Sequence, residues 1–252
     1  ISACLVGSEM CIRDSLWGIP GDSVDAVVDN LRTVRDTFKF YHVRHEEVAS
    51  LSAAAYTKLT GKIGVALSIG GPGIVHLLNG MYDAKMDRVP QLIITGQTNS
   101  TLLGTKFFQE TNISKMVDDV AVFHHQVQKG DDLFEITNEA IRTAYEKNGV
   151  AVIICPNDLL TQKIKDTTNR PVDTSRPVLP TPSYRSIKKA AKLINKSKKP
   201  VMLVGVGAKN ASTELQDFIE AAKIPVIHTL PAKTVLPDSH PYSVGNLSLI
   251  HI

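Results

Sequence analysis

Short apolar segments alternate with amphipathic helical segments along most of this chain, and this alternation constrains the fold more than any other feature. Residues 63–69, 91–95 and 150–155 have the pattern of buried strands, whereas residues 46–59 and 133–147 have that of helices. Strands separated by helices form parallel sheets covered on both faces. The sequence therefore predicts an α/β fold built on a doubly wound parallel sheet.

Glycine-containing turns follow Trp17, Ile69 and Thr95, where three of the predicted strands end. Parallel α/β sheets bind their ligands at the carboxyl ends of the strands. The turn at 70–73, Gly-Gly-Pro-Gly, lets a ligand approach the backbone closely and leaves free N–H groups at a helix start. Such turns are common in α/β proteins, so its position at a strand end is what makes it a candidate site.

The local composition changes after residue 163, where prolines lie among Thr, Asp, Ser and Arg. We interpret residues 166–183 as a linker between a first domain, 16–165, and a second α/β domain that begins at 184. Helices at 186–195 and 212–222 and strands at 201–204 and 225–228 give the second domain about one and a half βαβ units. A doubly wound domain needs more strands, so we expect this domain, 184–246, to be truncated.

Both ends of the chain look foreign to the fold. The strings CLVGSEMCIRD, within residues 1–15, and LSLIHI, at 247–252, resemble sequencing-adapter DNA that has been translated at the ends of assembled reads. A genuine variable terminus is the alternative. We exclude both segments from the prediction of fold and site.

Composition excludes several classes of protein. The formal net charge of +3 is too small to indicate a nucleic-acid partner, and the lysines between 188 and 199 have the spacing of a solvated helix face. No apolar run approaches the ~18–20 residues of a membrane-spanning helix. The three cysteines have neither metal-ligand spacing nor a disulfide pattern, which predicts a reducing, cytoplasmic setting.

The segment Arg44-His45-Glu46-Glu47 follows a strand and opens a helix, and it allows two interpretations. Acidic residues in a first helical turn suit the helix dipole and need no other role. Alternatively, one carboxylate faces the ligand crevice and serves in hydrogen bonding or proton transfer. No His/Asp/Glu set has metal-ligand spacing along the chain, so the sequence predicts no metal site.

Two further segments are ambiguous when taken alone. Phe107-Phe108-Gln109-Glu110 places two aromatic residues in a polar loop, where they either anchor the loop to the core or serve a ligand. Gly205-Val206-Gly207 follows a strand and precedes a helix, as in a dinucleotide site, but it lacks the third glycine of the fingerprint.

Taken together, these motifs are far more specific. GIPGD (18–22), RHEEVA (44–49), SIGGPGIVHLLNG (68–80) and FFQE (107–110) resemble the pyrimidine-binding domain of thiamine-diphosphate enzymes. The residues of these motifs and their spacing look most like those of pyruvate oxidases, especially the quinone-linked type. VGVGAKN (204–210) and HTLPAKT (228–234) resemble the start of that family's middle, FAD-binding domain. The resemblance extends from Trp17 to about Asn246.

The resemblance implies roles for particular residues. Glu46, and not Glu47, matches the glutamate that hydrogen-bonds the aminopyrimidine ring, and Phe108 and Gln109 match a loop over the reacting carbon. Residues matching cofactor-binding positions are Gly21, Gly71, Pro72, Gly73 and Asn79 for thiamine diphosphate, and Gly205, Gly207, Ala208, Thr229 and Lys233 for FAD.

The implied reaction is the oxidative decarboxylation of pyruvate to acetate and CO2 through a hydroxyethyl intermediate, with electrons passing to FAD and then to quinone. Variants left open are a pyruvate oxidase that uses oxygen and phosphate to make acetyl phosphate, and acetohydroxyacid synthase. The latter has HEQGA where this chain has HEEVA. A non-catalytic nucleotide-binding module is the alternative from a different class.

One departure from the family qualifies these expectations. The Gly-Asp-Gly…Asn motif that holds Mg²⁺ and the diphosphate is not found, and in the family it lies in a third domain, usually across a subunit boundary. The resemblance therefore implies that this chain alone is inactive. It also implies a homotetramer and, for quinone-linked relatives, peripheral membrane contact through a C-terminal segment.

Overall fold

The computed structural model describes residues 15–33, 39–162 and 180–247. The chain divides into two compact units, Ile1–Val178 and Leu179–Ile252. Most of the predicted linker at 166–183 lies outside the described residues. So do the two predicted tails, except for Ser15, which opens the first strand, and Leu247, which ends the last.

The first unit contains a sheet of six strands, all parallel. In chain order they are β1 (Ser15–Gly18), β2 (Lys39–His42), β3 (Gly64–Ser68), β4 (Gln91–Gln97), β5 (Ala121–Gln126) and β6 (Val150–Pro156). Their order across the sheet is β2-β1-β3-β4-β6-β5. Strands β1, β3 and β4 are therefore neighbours, and the turns after them lie along one edge of the sheet.

Helices cover both faces of this sheet. They are α1 (Asp25–Thr33), α2 (Glu46–Thr60), α3 (Pro72–Met86), α4 (Ile113–Val117), α5 (Leu133–Lys147) and α6 (Asn157–Leu160). One apolar core contains residues of α1, α5 and α6, and the other contains residues of α2, α3 and α4. Alternate side chains of each central strand belong to opposite cores: Leu92 and Ile94 pack in the first, and Ile93 packs in the second.

Helices α2 and α3 pack against each other at close range because small residues line their contact. A methyl group added at Gly80 of α3 would lie 2.5 Å from Ser50 Cβ and 2.7 Å from the Leu51 backbone nitrogen of α2. The helices begin in turns on the same side of the sheet, after β2 and β3. Glu46 lies in the first turn of α2 and His76 in the second turn of α3, so this packing determines how those two side chains face each other.

The second unit has a three-stranded parallel sheet in the order β7-β8-β9. Its strands are β7 (Met202–Val204), β8 (Val226–Thr229) and β9 (Ser243–Leu247), and its helices are α7 (Tyr184–Lys196) and α8 (Ser212–Ala222). Val204, Ile219, Val226 and Leu236 belong to its apolar core. Across both units, the described helices are all too short or too polar to cross a bilayer.

The predicted α/β class and parallel sheet are confirmed. Helix α5 occupies the predicted residues 133–147, and helix α8 the predicted 212–222. Helices α4 and α6 and strand β9 were not predicted. Two of these are helices of four or five residues, too short to show a periodic pattern.

Candidate active site

The turns that follow β1 and β3 and the last residues of β4 meet around one side chain, Ser23. Its hydroxyl accepts a hydrogen bond from the Gly70 backbone N–H at 3.1 Å. A methyl group added at Gly96 would collide with Ser23. Sequence analysis did not identify Ser23, although its place directly after the 18–22 turn was a usable signal. Two of the predicted glycine turns and Gly96 therefore form one continuous edge, although β4 continues to Gln97 instead of turning after Thr95 as predicted.

The predicted glycines of this edge are required by close contacts. A methyl group at Gly21 would lie 2.6 Å from Ile69 Cγ2, and one at Gly73 would lie 2.8 Å from Ile69 Cγ1. Gly71 has φ +59° and ψ −117°, a backbone conformation that side-chain-bearing residues rarely adopt. Pro72 is then the first residue of α3, where its missing N–H costs nothing.

Glu46 is the buried carboxylate of this region. It is the first residue of α2, and its side chain is only 12% exposed. Oε2 of Glu46 lies 3.0 Å from Nδ1 of His76, in the second turn of α3. Such a carboxylate can hold a proton donor on a bound ring, because burial excludes the water that would compete for it.

Glu47, the next residue, has different surroundings. Its backbone N–H donates to His45 Nδ1 at 3.3 Å, which caps the helix. Its carboxylate accepts a hydrogen bond from the Asn79 side chain. Asn79 is thus engaged with Glu47 on the exposed side of α2 and α3, whereas Glu46 points inward.

The structure brings together three residues with metal-binding side chains. Among the described residues, His45, Glu46 and His76 each place one candidate ligand atom within 4.8 Å of the other two. The rings of His45 and His76 stack, with centroids 4.5 Å apart and planes 29° apart. Sequence spacing gave no hint of this cluster, since position 76 lies on another helix. Chemically, the group can share a proton or bind a divalent cation.

The loop at Phe107–Glu110 packs against the Gly71 turn. A methyl group at Gly71 would lie 2.7 Å from the Gln109 carbonyl oxygen. Phe108 is 75% exposed, and Phe107 is exposed as well, so neither ring anchors the loop in the core of this chain. Gln109 has φ +60°, a strained conformation for a residue other than glycine.

Glu110 closes this loop on itself. Its carboxylate accepts hydrogen bonds from the backbone N–H groups of Gly104 at 2.5 Å and Phe107 at 3.1 Å. These bonds, the Gly104 bond first, hold the pKa of Glu110 below its usual range. At neutral pH the carboxylate is ionised, which favours the closed loop.

A second carboxylate that accepts hydrogen bonds joins the segments after β4 and β6. Asp158 accepts hydrogen bonds from the Ser100 hydroxyl at 2.6 Å and the Ser100 backbone N–H at 2.7 Å. Burial alone would raise the pKa of Asp158, but these bonds from Ser100 hold it below its usual range. Sequence analysis missed both residues, although each follows a strand and the two strands are neighbours.

The residues predicted for the second site follow β7 and β8 in the second unit. Val204 pairs with His228 in the sheet, so the segments after these strands emerge side by side and contact each other. Methyl groups added at Gly205 or Gly207 would meet nothing within 4 Å. This turn therefore offers open backbone, as a ligand-binding turn requires.

The other members of this set differ in exposure. Ala208 and Thr229 are half-buried, and exposed Lys233 pairs with Asp238 at 3.2 Å. His228, in β8, directly precedes Thr229. Its ring is fully buried, and neither nitrogen has a hydrogen-bond partner among the described residues, the nearest carboxylate oxygen being that of Asp238 at 3.6 Å.

The fold and these motifs define a class. Residues 11–116 match the thiamine pyrophosphate enzyme N-terminal TPP binding domain, and residues 187–251 match the thiamine pyrophosphate enzyme central domain. The chain belongs to the thiamine pyrophosphate enzyme family, and it carries that family's first two domains.

Individual relatives narrow the comparison. The chain is 49% identical to the thiamine pyrophosphate-containing protein YdaP of Bacillus subtilis, over 94% of the chain and 41% of that protein. It is 38% identical to a pyruvate oxidase of Lactiplantibacillus plantarum, over 94% of the chain and 40% of that protein. It is 36% identical to an acetolactate synthase of Mycobacterium leprae, over 96% of the chain and 40% of that protein. The chain spans about two fifths of the length of these relatives.

The residues present fit thiamine diphosphate. The aminopyrimidine of this cofactor presents ring nitrogens that need a buried carboxylate partner, and Glu46 supplies one at a strand–helix junction. The Gly71 turn leaves no room for a side chain, so backbone groups there line the same edge.

Proposed function

We propose that Glu46 is the carboxylate that hydrogen-bonds the aminopyrimidine of thiamine diphosphate, in a protein that oxidatively decarboxylates pyruvate. The contrast between neighbouring glutamates carries this proposal. Glu46 is buried and retains one carboxylate oxygen beyond its contact with His76, whereas the carboxylate of Glu47 accepts a hydrogen bond from Asn79. Of these two glutamates, Glu46 is the one that combines burial with a position at the ligand edge of the sheet.

The residues around Glu46 have separable tasks in this proposal. Glu46 holds the proton of the bound ring and directs it, the task for which a buried carboxylate is suited. Gly21, Gly71 and Gly73 present backbone rather than side chains at this edge, since a methyl group there would meet Ile69 or the Gln109 carbonyl oxygen. When bound, thiamine diphosphate supplies the carbon nucleophile and the electron sink for decarboxylation of a 2-keto acid.

Phe108 and Gln109 extend the site toward the substrate. The loop that carries them contacts the Gly71 turn, and Phe108 is exposed. In our proposal the Phe108 ring covers pyruvate and excludes water, and the Gln109 amide donates a hydrogen bond to pyruvate. Pyruvate carries a small apolar methyl group and a carboxylate. An aromatic ring is complementary to the first, and an amide is complementary to the second.

We further propose that the second unit binds FAD through the turn after β7, aided by Thr229 and Lys233. Its open glycines support this proposal. Pyruvate, water and a quinone then give acetate, CO2 and a quinol: two electrons leave the keto carbon and reduce the quinone by way of the flavin. Mg²⁺ is the expected partner of the cofactor's diphosphate.

A second candidate is acetolactate synthesis, because an acetolactate synthase matches the chain at 36% identity, close to the 38% of the pyruvate oxidase. That reaction starts with the same decarboxylation and requires the same role for Glu46. It joins the product to a second keto acid and consumes no electron acceptor.

Matched glutamine substitutions test the assignment in the whole protein. We expect Glu46→Gln to lower pyruvate turnover by about 100-fold or more, because an amide cannot take or hold the proton. Glu47→Gln, which retains an acceptor for Asn79, should stay within threefold of the unmodified protein. Steady-state kinetics with thiamine diphosphate and Mg²⁺ measures both. Loss of turnover in Glu47→Gln with retention in Glu46→Gln would falsify the assignment.

A further inference from the structure

His76 contacts Glu46 in a way that the reaction proposed above does not use. Its Nδ1 lies 3.0 Å from Oε2 of Glu46, and its side chain is 45% exposed. The ring of His76 also stacks on the ring of His45, with centroids 4.5 Å apart. The buried carboxylate therefore has one oxygen fixed by a side chain of the neighbouring helix.

A hydrogen bond explains this geometry better than a metal ion. Two ligand atoms on one tetrahedral zinc ion, each ~2.0–2.1 Å from it, lie about 3.3 Å apart, which is more than the spacing of His76 Nδ1 and Glu46 Oε2. Nδ1 of His45 also accepts the Glu47 N–H, and helix N-termini disfavour a cation.

We propose that His76 is a positioning residue for Glu46: its Nδ1–H donates to Oε2, which fixes the carboxylate plane and leaves Oε1 for the cofactor ring. This inference rests on the proposed function, which it deepens. A carboxylate with neither oxygen fixed rotates about its terminal torsion and presents a bound ring with a broad range of orientations. A donor from a second helix removes that freedom before the ligand arrives.

The first test needs no cofactor and no turnover. In neutral histidine, the nitrogen that carries the hydrogen is determined by the hydrogen bond it makes. Long-range ¹H–¹⁵N spectra of the 252-residue chain, with His76 assigned from His76→Asn, should show the Nδ1–H tautomer. Glu46→Leu, which removes the acceptor, should abolish that preference, whereas the ring signals of His125, which pairs with Asp131 at 2.8 Å, should not change.

The second test is a mutant cycle in the whole protein. Asparagine can place a donor near the Nδ1 position, whereas leucine has none. We expect His76→Leu to lower kcat for pyruvate about tenfold or more with KM within twofold, and His76→Asn to restore most of it. Combined with Glu46→Gln, His76→Leu should add nothing, because His76 acts only through Glu46. His125→Asn is the control, with unchanged kcat.

Each contrary result overturns a distinct claim. A His76 tautomer that is unaffected by Glu46→Leu, or a His76→Leu variant with normal kcat, overturns the positioning role. A raised KM in both His76 variants shows direct contact with the substrate instead. Stoichiometric Zn²⁺ binding that is lost in His76→Asn and kept in His125→Asn shows a metal site. Absence of pyruvate turnover in the unmodified protein rejects the proposed function, while the spectra still decide on the hydrogen bond.

Discussion

Cys155 is a single residue whose environment determines its reactivity. It lies in β6 within the apolar core and is 2% exposed, and burial raises the pKa of its thiol to about 12. The thiolate is the reactive form, so the folded chain should keep Cys155 inert. We expect iodoacetamide at pH 8.5 to leave Cys155 unmodified in the folded chain and to alkylate it fully in urea. Peptide mass spectrometry provides the measurement, and rapid labelling under native conditions would contradict it.

Gly71 is a second residue of this kind, because a single added methyl group there should lower the stability of the fold. Alanine there must adopt φ +59° and place its methyl group 2.7 Å from the Gln109 carbonyl oxygen. We expect Gly71→Ala to lower the free energy of unfolding by about 2–3 kcal/mol and to weaken thiamine diphosphate binding. The single tryptophan, Trp17, reports urea unfolding of the first unit.

Gly130→Ala serves as the control for this substitution. Gly130 also has a positive φ, +96°, but a methyl group there meets nothing within 4 Å. It should cost about 1 kcal/mol from backbone strain alone and leave thiamine diphosphate affinity unchanged. Equal losses in the two variants would mean that contact with the 107–110 loop is unimportant.

Residue types and spacing identified much of the candidate edge, and the resemblance selected Glu46 over Glu47. Residue-level physics alone left the two glutamates equivalent, because both suit the start of a helix. Their distinction depends on which one faces inward and on Asn79 from the neighbouring helix. Contacts between distant positions, such as Glu46 with His76, leave no trace in local patterns.

At the scale of elements, the segments after β4 and β6 are joined by the Ser100–Asp158 pair. Because these hydrogen bonds lower the folded-state pKa of Asp158, the stability they provide is present above the unfolded pKa of about 3.9. It is lost as the pH falls through the lower, folded pKa. Ser100→Ala should therefore destabilise the first unit by about 1 kcal/mol at pH 7, with a smaller difference below pH of about 3.5.

Thr161→Ala is the matched control for this pH dependence. The Thr161 hydroxyl donates to the backbone carbonyl oxygen of Asp158 at 3.1 Å, a bond that involves no titrating group. Its effect on the free energy of unfolding should be the same at pH 7 and at pH 3.5. Urea titrations followed by Trp17 fluorescence compare the two variants, and a pH-independent Ser100→Ala effect would contradict the role of the Asp158 charge.

Elements with strong periodicity were predicted well, and short elements were not. The alternation of apolar strands and helices gave the parallel sheet, because each central strand is buried on both faces. Helix α4 and strand β9 are fixed by packing on larger elements rather than by their own composition. Ile113 and Val117 of α4, for example, are buried against the core beneath α3.

At the scale of the whole molecule, the chain divides into two compact units, and its two family matches are to an N-terminal TPP binding domain and to a central domain. A pyruvate oxidase and an acetolactate synthase match the chain almost equally, over the same two fifths of their lengths. These similarities do not choose between the two reactions, so the reaction must be distinguished by its products.

Product analysis of the whole protein makes that distinction. With pyruvate, thiamine diphosphate, Mg²⁺, FAD and a soluble quinone, we expect acetate, CO2 and quinol in equal amounts, because each decarboxylation releases two electrons that need an acceptor. Omitting the quinone without oxygen should stop CO2 release after about one turnover per flavin. Acetolactate formation consumes two pyruvate molecules and no oxidant, so CO2 release that continues without an acceptor, with acetolactate accumulating, would establish the synthase reaction. Acetyl phosphate and hydrogen peroxide, formed with phosphate and oxygen, would instead identify oxygen as the acceptor.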